Sequence, residues 1–554
     1  MAQPNNVKIS DLDRAGQPLS TAIFPIVQSQ TTYQANLVDL LPVADVRMYG
    51  TTGTADDTAT LVAALAAVAA NGVVEIPAGV TLTVTGVTLS SRRLQGAGKL
   101  KWKNAAPTAL LTLTGEGCSV AGLEIDGNRT NQSLDLNAIE TSGAENWVIR
   151  DCYLHDFRAR VLVTGVGTSP HGLVSGCVFE ALGASGVSCD AICLRSPRCT
   201  VSDCWFTDMD DGHGVRVGLF LADATGTPVT GSVIDSCHFY DTNHNGVTCE
   251  LYAQHTTISN NDFASLDQAI KCDSDASIFG VLIDGNTMRD IALTTALNLS
   301  CTGVTFSNNR CYTMGGGPAF GTKGICRGNF FDTVGTAATT PTISCGSDEV
   351  LVEGNHIKDC PYRAIVAAGL STVRGNYIDN STDSAIRISG SGTVVDGNVV
   401  DGCTIGINIV SSTTNARVGM NTLLNCSSSQ LSFSAGVNFD TCIVDCPSVV
   451  PTILHTIAAG VITSGITERA IHTLASEGAA ATDDLDTITA TTGIAVGHIM
   501  VLRDNSSSQD ITVKHATGNI HLTGAADFAM TTSAFKIGLQ WSGTFWEELW
   551  RSTS

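Results

Sequence analysis

A chain of 554 residues with 52 acidic against 30 basic side chains carries a formal charge of −22, which argues against nucleic-acid partners and anionic membrane surfaces, since both want a basic patch. Charged residues make up 15% and apolar residues 43%, with 55 Gly and 14 Pro, a composition of many short strands and tight turns rather than of a disordered chain. The most apolar stretch, Leu61 to Val80, contains Asn71, Glu75 and Pro77 and is too polar to span a bilayer; no signal peptide is read, so the expectation is a protein made in a cytoplasm and not inserted in a membrane.

Residues 7–42, VKISDLDRAGQPLSTAIFPIVQSQTTYQANLVDLLP, resemble a short segment that recurs at the N-termini of phage tail and receptor-binding proteins. The resemblance implies that residues 1–44 attach the protein to a virion, through a tail or baseplate protein. A generic N-terminal β extension is the plainer alternative.

Residues 45–104 follow. Asp56 and Asp57 precede Thr58 and an Ala-rich stretch, which predicts an Asp N-cap and a helix ending at Asn71-Gly72, then a strand ending at Pro77.

From residue 148 to residue 426 one phrase returns every 20 to 33 residues or so: IRDCYL, VSGCVF, VSDCWF, IDSCHF, ISNNDF, IDGNTM, FSNNRC, CRGNFF, VEGNHI, VRGNYI, VDGNVV and VGMNTL. Its fourth residue is Cys152, Cys177, Cys204 and Cys237, then Asn261, Asn286, Asn309, Asn329, Asn355, Asn376, Asn398 and Asn421. A fixed phrase at this period is the mark of a solenoid. About ten to fifteen residues after most rungs comes a β-rich partner such as AICLR, GVRVG, GVTCE, AIKCD or ALNLS. The second and fourth letters are apolar and point inward, and the others are small or polar and point outward. Stacking such strands in parallel register gives a parallel β-helix over residues 105–450, with the Asn rungs as a side-chain ladder joining coil to coil. The 19 cysteines read as reduced and structural: four occupy the ladder, Cys249, Cys272 and Cys345 fall on inward positions, and no CxxC pair points to zinc.

The opening, DVRMYGTTGTADDTATLVAALAAVAANGVVEIPAGV, together with the ladder, closely resembles the pectate-lyase superfamily, the β-helices of phage tailspikes and polygalacturonase-like enzymes, over roughly residues 45 to 430. The resemblance implies an all-β, right-handed, single-stranded parallel β-helix, a helix covering its open N-terminal edge, a homotrimer, and a virion location with action at the bacterial surface.

After residue 450 the ladder stops. Residues 451–468 read as a connector and residues 469–554 as a small β-sandwich, from alternating strands separated by Gly, Asn and Ser turns. GNIHLTG and GTFWEELWRS resemble C-terminal modules of phage tail proteins, which commonly help hold trimers together. Trp541, Trp546 and Trp550 are expected in core or trimer packing, with glycan platforms as the alternative.

Chemistry has to come from the outward faces of the coils, because inward positions are filled. The outward third positions of the strand stack are Cys193, Arg216, Thr248, Lys271 and Asn298, and the fifth positions are Arg195, Gly218, Glu250, Asp273 and Ser300. Glu250 and Asp273 fall at equivalent places on adjacent coils, about 4.8 Å apart along the backbone. That spacing suits a retaining glycosidase pair, and side-chain spread would carry it to inverting distance. A solvated face neutralised by Lys271 is the competing reading. The phrase DMDDGHGVRVG contains Asp210, Asp211, His213 and Arg216; its DDGHG core resembles polygalacturonase-like glycosidases, although those place the aspartates and the GHG on different coils. The resemblance implies a catalytic role for Asp211 and substrate contacts from Asp210, His213 and Arg216, while an acidic turn is the plain alternative. Asp190 is expected across the cleft from Asp211, and the long coil between Cys204 and Cys237 is expected to raise a groove wall near LADATGTPVTG.

Hydrolysis of a surface polysaccharide by Glu250 and Asp273, aided by Asp211 and Asp190, is thus the leading reading, with Asp210, His213, Arg216, Lys271 and Arg195 binding substrate. It calls for no metal or other cofactor. Elimination by Arg195, Arg216 or Lys271 is the alternative, with calcium held by carboxylates such as Asp190 or Glu250. A receptor-binding spike without catalysis is the third.

Overall fold

The computed structural model describes residues 23–28, 31–36 and 43–553, apart from 185–186, 188, 211, 220–225, 336–338, 347–348, 411–412, 435–442, 445–451, 465–470, 491–495, 506–507 and 533. Within the N-terminal segment, strands Ile23–Gln28 and Thr31–Asn36 pair antiparallel. The chain divides into two compact units, residues 1–324 and 325–554.

After the short strand Val43–Asp45 the first unit forms the helix Thr58–Ala67, shorter than its apolar pattern suggested. Asp57 stands at its N-cap but makes no side-chain bond into it. Its carboxylate instead accepts from Thr54 N at 3.0 Å and Thr83 N at 2.9 Å, tying the helix start to a coil strand. Asp56 accepts from Thr58 N at 3.1 Å.

Beyond the helix the chain winds in parallel coils. Val233–Asp235 pairs with Thr257–Ser259, which pairs with Leu282–Asp284 and then Thr305–Ser307, residue for residue. The turn after each such strand explains the repeated phrase. Its third residue takes a left-handed backbone, as at Asp151, Asp203, Ser236, Asn260, Gly285 and Asn308, a conformation that Gly, Asn and Asp tolerate best. The fourth residue then turns inward. Cys152, Cys177, Cys204 and Cys237 are buried there, each thiol reaching the carbonyl two residues back. Asn261 Nδ2 donates to Asn286 Oδ1 at 3.0 Å, and Asn286 Nδ2 to Asn309 Oδ1 at 2.9 Å. Just past the rungs, Phe179, Phe206, Phe239 and Phe263 stack through the core with centroids 4.9, 4.7 and 4.8 Å apart, the spacing of parallel strands.

The second unit repeats the device. Gly328, Gly354, Gly375 and Gly397 supply the left-handed turn, and Asn329, Asn355, Asn376, Asn398 and Asn421 are linked by amide bonds of 2.8 to 2.9 Å. Its C-terminal part contains six-, three- and two-stranded sheets around one core that includes Ile457, Leu474, Met500, Ile537 and Trp546. Two features differ from the sequence reading. Residues 452–464 are not a plain connector, because Thr452–Thr456 pairs with Ile471–Ala475, and Val461–Ser464 with Thr487–Ala490. Several of these pairs are parallel, unlike those of an antiparallel sandwich. Trp546 is fully buried and Trp541 lies 5.4 Å from it, whereas Trp550 is 42% exposed.

Among the described residues no helix is long and apolar enough to cross a membrane. All 17 described cysteines are free thiols.

Candidate functional site

The outward row expected from the sequence is present in register: Cys193 faces Arg216, Arg216 faces Thr248, Thr248 faces Lys271 and Lys271 faces Asn298. It is less exposed than expected. Cys193 and Thr248 have no accessible surface, because side chains from the preceding corner fold over them: Cys193 Sγ lies 3.2 Å from Asp190 Oδ2, and Asn245 Nδ2 donates to Thr248 Oγ1 at 3.0 Å. The corner thereby carries a buried polar row, Asp190, His213, Asn245 and Gln268.

Asp190 corrects one expectation. It is fully buried and offers no carboxylate to a cleft. Arg216 Nε and Nη2 each donate to it at 3.1 Å, and Arg160 Nε stands 3.5 Å away. Burial alone would raise the Asp190 carboxyl, but the Arg216 guanidinium outweighs it and holds the group below the usual carboxylate range. Arg216 is itself 90% buried at its side chain and also ion-paired with Glu250, so it positions carboxylates instead of lying open to a substrate. His213 is corrected likewise. It is 8% exposed, its Nδ1 has no hydrogen-bond partner among the described residues, and burial pushes its imidazole down to about 3 against the opposing Asp190 carboxylate. Its phrase is built for packing: a Cβ on Gly212 would lie 1.3 Å from Cys189 O, so only glycine fits.

Asp210 is exposed, but it pairs with Arg129 at 3.2 Å and does not line the cleft described next. Asp211, and residues 221–225 of the LADATGTPVTG loop expected to wall a groove, lie outside the described residues, while Val229–Thr230 at its end pairs with Ala253–Gln254. Arg195 is half-buried and, by the register of Leu194 with Val217 and of Val217 with Cys249, lies two coils before Glu250 in the same row.

Glu250 and Asp273 are brought together. Cys249 pairs with Cys272, so the two acids follow on adjacent coils, and both line an open cleft of about 460 Å³ with Leu219, Leu251, Ser274, Asp275 and Ile278. Glu250 is 20% exposed at its side chain and leans toward Arg216 on the preceding coil. Asp273 is 40% exposed and pairs with Lys271 Nζ at 3.0 Å on its own strand. Asp275 is the residue that sequence reasoning missed. Its carboxylate accepts from Ser277 N at 2.7 Å and from Ser277 Oγ at 2.5 Å, and the Ser277 hydroxyl and amide hold its pKa below the usual range. The signal was the DSDAS run just past the strand, which looks like a turn. The cleft thus offers three carboxylates above apolar walls, one of them paired with the Lys271 ammonium, a set able to bind hydroxyls and exchange protons.

A family model described as right handed beta helix region matches residues 113–278 and 251–446. No curated protein matches the chain. Among solved structures, the tailspike protein of E. coli bacteriophage HK620 in complex with a pentasaccharide is similar, with 13% identity over 77% of this chain and 86% of that one and a TM-score of 0.49. A mutant of the same tailspike gives 14% identity over 76% and 82%, with a TM-score of 0.50. At such identities the likeness is one of fold. The family matches jointly span residues 113–446, more than half of the chain, and the coils carry the repeated turns and ladders that such a model describes; the chain belongs to the right-handed β-helix family.

Proposed function

We propose that the protein is a phage tailspike that binds a bacterial surface polysaccharide and hydrolyses its glycosidic bonds in the Glu250 cleft. The observation that carries the reading is the placement of Glu250 and Asp273 on adjacent coils at the wall of one open cleft. The solved tailspike of like fold, which holds a pentasaccharide, supports a glycan as ligand. Glu250, ion-paired to Arg216, is assigned as base, and Asp273 as the acid that protonates the leaving oxygen. Lys271 is assigned to a uronate or to hydroxyls, and Asp275 to hydroxyls. Elimination is disfavoured because Arg216 is already held by two carboxylates, Lys271 is paired with Asp273 and Arg195 lies two coils before Glu250. The N-terminal segment as virion anchor and a homotrimeric assembly complete the reading.

The test is incubation with purified capsular, exo- and O-antigen polysaccharides, following reducing ends and ultraviolet absorbance of unsaturated uronides. Reducing ends without absorbance, lost about 10²- to 10⁴-fold in Glu250→Gln and Asp273→Asn with binding retained, support hydrolysis. Absorbance assigns a lyase, and binding without either product assigns a non-catalytic receptor-binding spike.

A further inference from the structure

A second face of the coils carries features the cleft does not use. Val178, Trp205, His238 and Asp262 follow one another in register on adjacent coils, and beside them run Glu180, Thr207, Tyr240, Ala264 and Arg289. On the coils His238–Cys249 and Asp262–Cys272 these positions open the strand that follows the rung, whereas Glu250 and Asp273 come just past its other end, beyond the register shift between Thr242 and Asn245.

Trp205 is 47% exposed. His238 stacks on one face of its indole, with centroids 4.2 Å apart and planes 27° from parallel. The coil on the other side sets the smaller Val178 beside it, and about half of the Trp205 surface stays exposed. Polar groups flank Trp205 on the coils to either side. On the Val178 coil, Glu180 accepts from the hydroxyl of Tyr153 at 2.6 Å, and Tyr153 is 39% exposed. On the far side, Arg289 donates to Asp262 at 2.9 and 3.1 Å and to the Tyr240 hydroxyl at 3.0 Å.

We infer that Trp205, flanked by Glu180 and Tyr153 and by Tyr240, Asp262 and Arg289, is a second, non-catalytic saccharide-binding surface. The inference rests on the glycan-binding reading above and places a further stretch of the same polymer outside the Glu250 cleft. A pyranose has an apolar C–H face and a rim of hydroxyls. It matches a half-exposed indole in a row with carboxylate acceptors and guanidinium donors. The cores of protein interfaces are depleted of Glu and Asp, which sets this face apart from a contact between copies. The charge of −22 disfavours nucleic acid.

Two sites on one polymer raise its apparent affinity without adding contacts at either site. The test compares wild type, Trp205→Ala, Trp205→Phe and Glu250→Gln on the same polysaccharide panel by array binding, reducing-end release from oligosaccharide fragments, and sedimentation. The expected result is an apparent affinity for the bound polymer about tenfold or more lower in Trp205→Ala and less reduced in Trp205→Phe, with fragment cleavage within about twofold of wild type. Unchanged polymer affinity in Trp205→Ala overturns the inference, and if Glu250→Gln still abolishes cleavage the proposed function stands without it. A Trp205→Ala chain that sediments as a smaller species than wild type also overturns it, assigning the face to contact between copies. Wild type binding no polysaccharide of the panel overturns both readings together.

Discussion

Arg216 grips Asp190 through both Nε and Nη2, each 3.1 Å from a carboxylate oxygen, in a corner where Asp190 has no exposed surface. A buried pair of this kind contributes little net stability compared with an apolar filling, but removing one member strands the other charge. Arg216→Ala is expected to cost about 3 kcal/mol, with Arg160 at 3.5 Å limiting the loss, whereas the double change with Asp190→Ala is expected to cost less than the sum of the single ones. A denaturation cycle measures this directly; strictly additive losses would show that the pair is not coupled.

The same guanidinium draws Glu250 toward the preceding coil, while Asp273 is held on its own strand by Lys271. Carboxylates drawn to different partners in this way suit the wider spacing, about 6.5 to 9.5 Å, that admits a water on the opposite side of the sugar, better than the closer spacing of a retaining pair. If the cleft hydrolyses, the first product anomer is expected to be inverted. Proton NMR of early time points decides it, and retention would mean that Glu250 swings away from Arg216 when substrate binds.

What the sequence made legible follows from periodicity. The rung phrase specifies a left-handed turn and an inward Asn or Cys, so Asn261, Asn286 and Asn309 were placed correctly without coordinates, as was the row Cys193, Arg216, Thr248, Lys271. Alternation tells which way a side chain leaves the strand, not what folds over it afterwards. Asp190 and His213 come from the corner preceding a strand and Asn245 from just past a register shift within one, and their cover over the outward row is a tertiary fact that no spacing encodes. That is why Asp190 and His213 read as cleft residues and proved buried. Asp275 was hidden for the opposite reason, since an acidic residue in a Ser-rich turn looks like any solvated loop.

In the C-terminal part, His455 Nε2 and His472 Nδ1 lie 2.8 Å apart, and burial pushes His472 down to about 3 with neighbouring His455 and His498 adding to the effect. A histidine whose folded pKa lies below its unfolded value of 6.5 leaves the unfolded chain binding more protons. Its stabilising contribution is therefore full above pH 6.5 and is lost as pH falls from 6.5 toward 3, at up to about 1.4 kcal/mol per pH unit. His472→Leu is expected to flatten the dependence of Tm on pH between 7 and 5. An unchanged slope would move the acid sensitivity to another group.

Asn286 is the best single test of the ladder. Its Oδ1 accepts from Asn261 N at 2.9 Å and Nδ2 at 3.0 Å, and its own Nδ2 donates to Asn309 Oδ1 and Ile258 O, both at 2.9 Å. Ala at this position leaves at least two buried donors of the neighbouring coil unpaired, each worth about 1 to 3 kcal/mol. The first unit itself supplies a milder substitute, because Cys at the equivalent places in earlier coils satisfies itself on nearby carbonyls. Asn286→Cys is therefore expected to be less destabilising than Asn286→Ala in chemical denaturation. Equal losses would locate the stabilisation in backbone pairing and the stacked Phe core rather than in the amides.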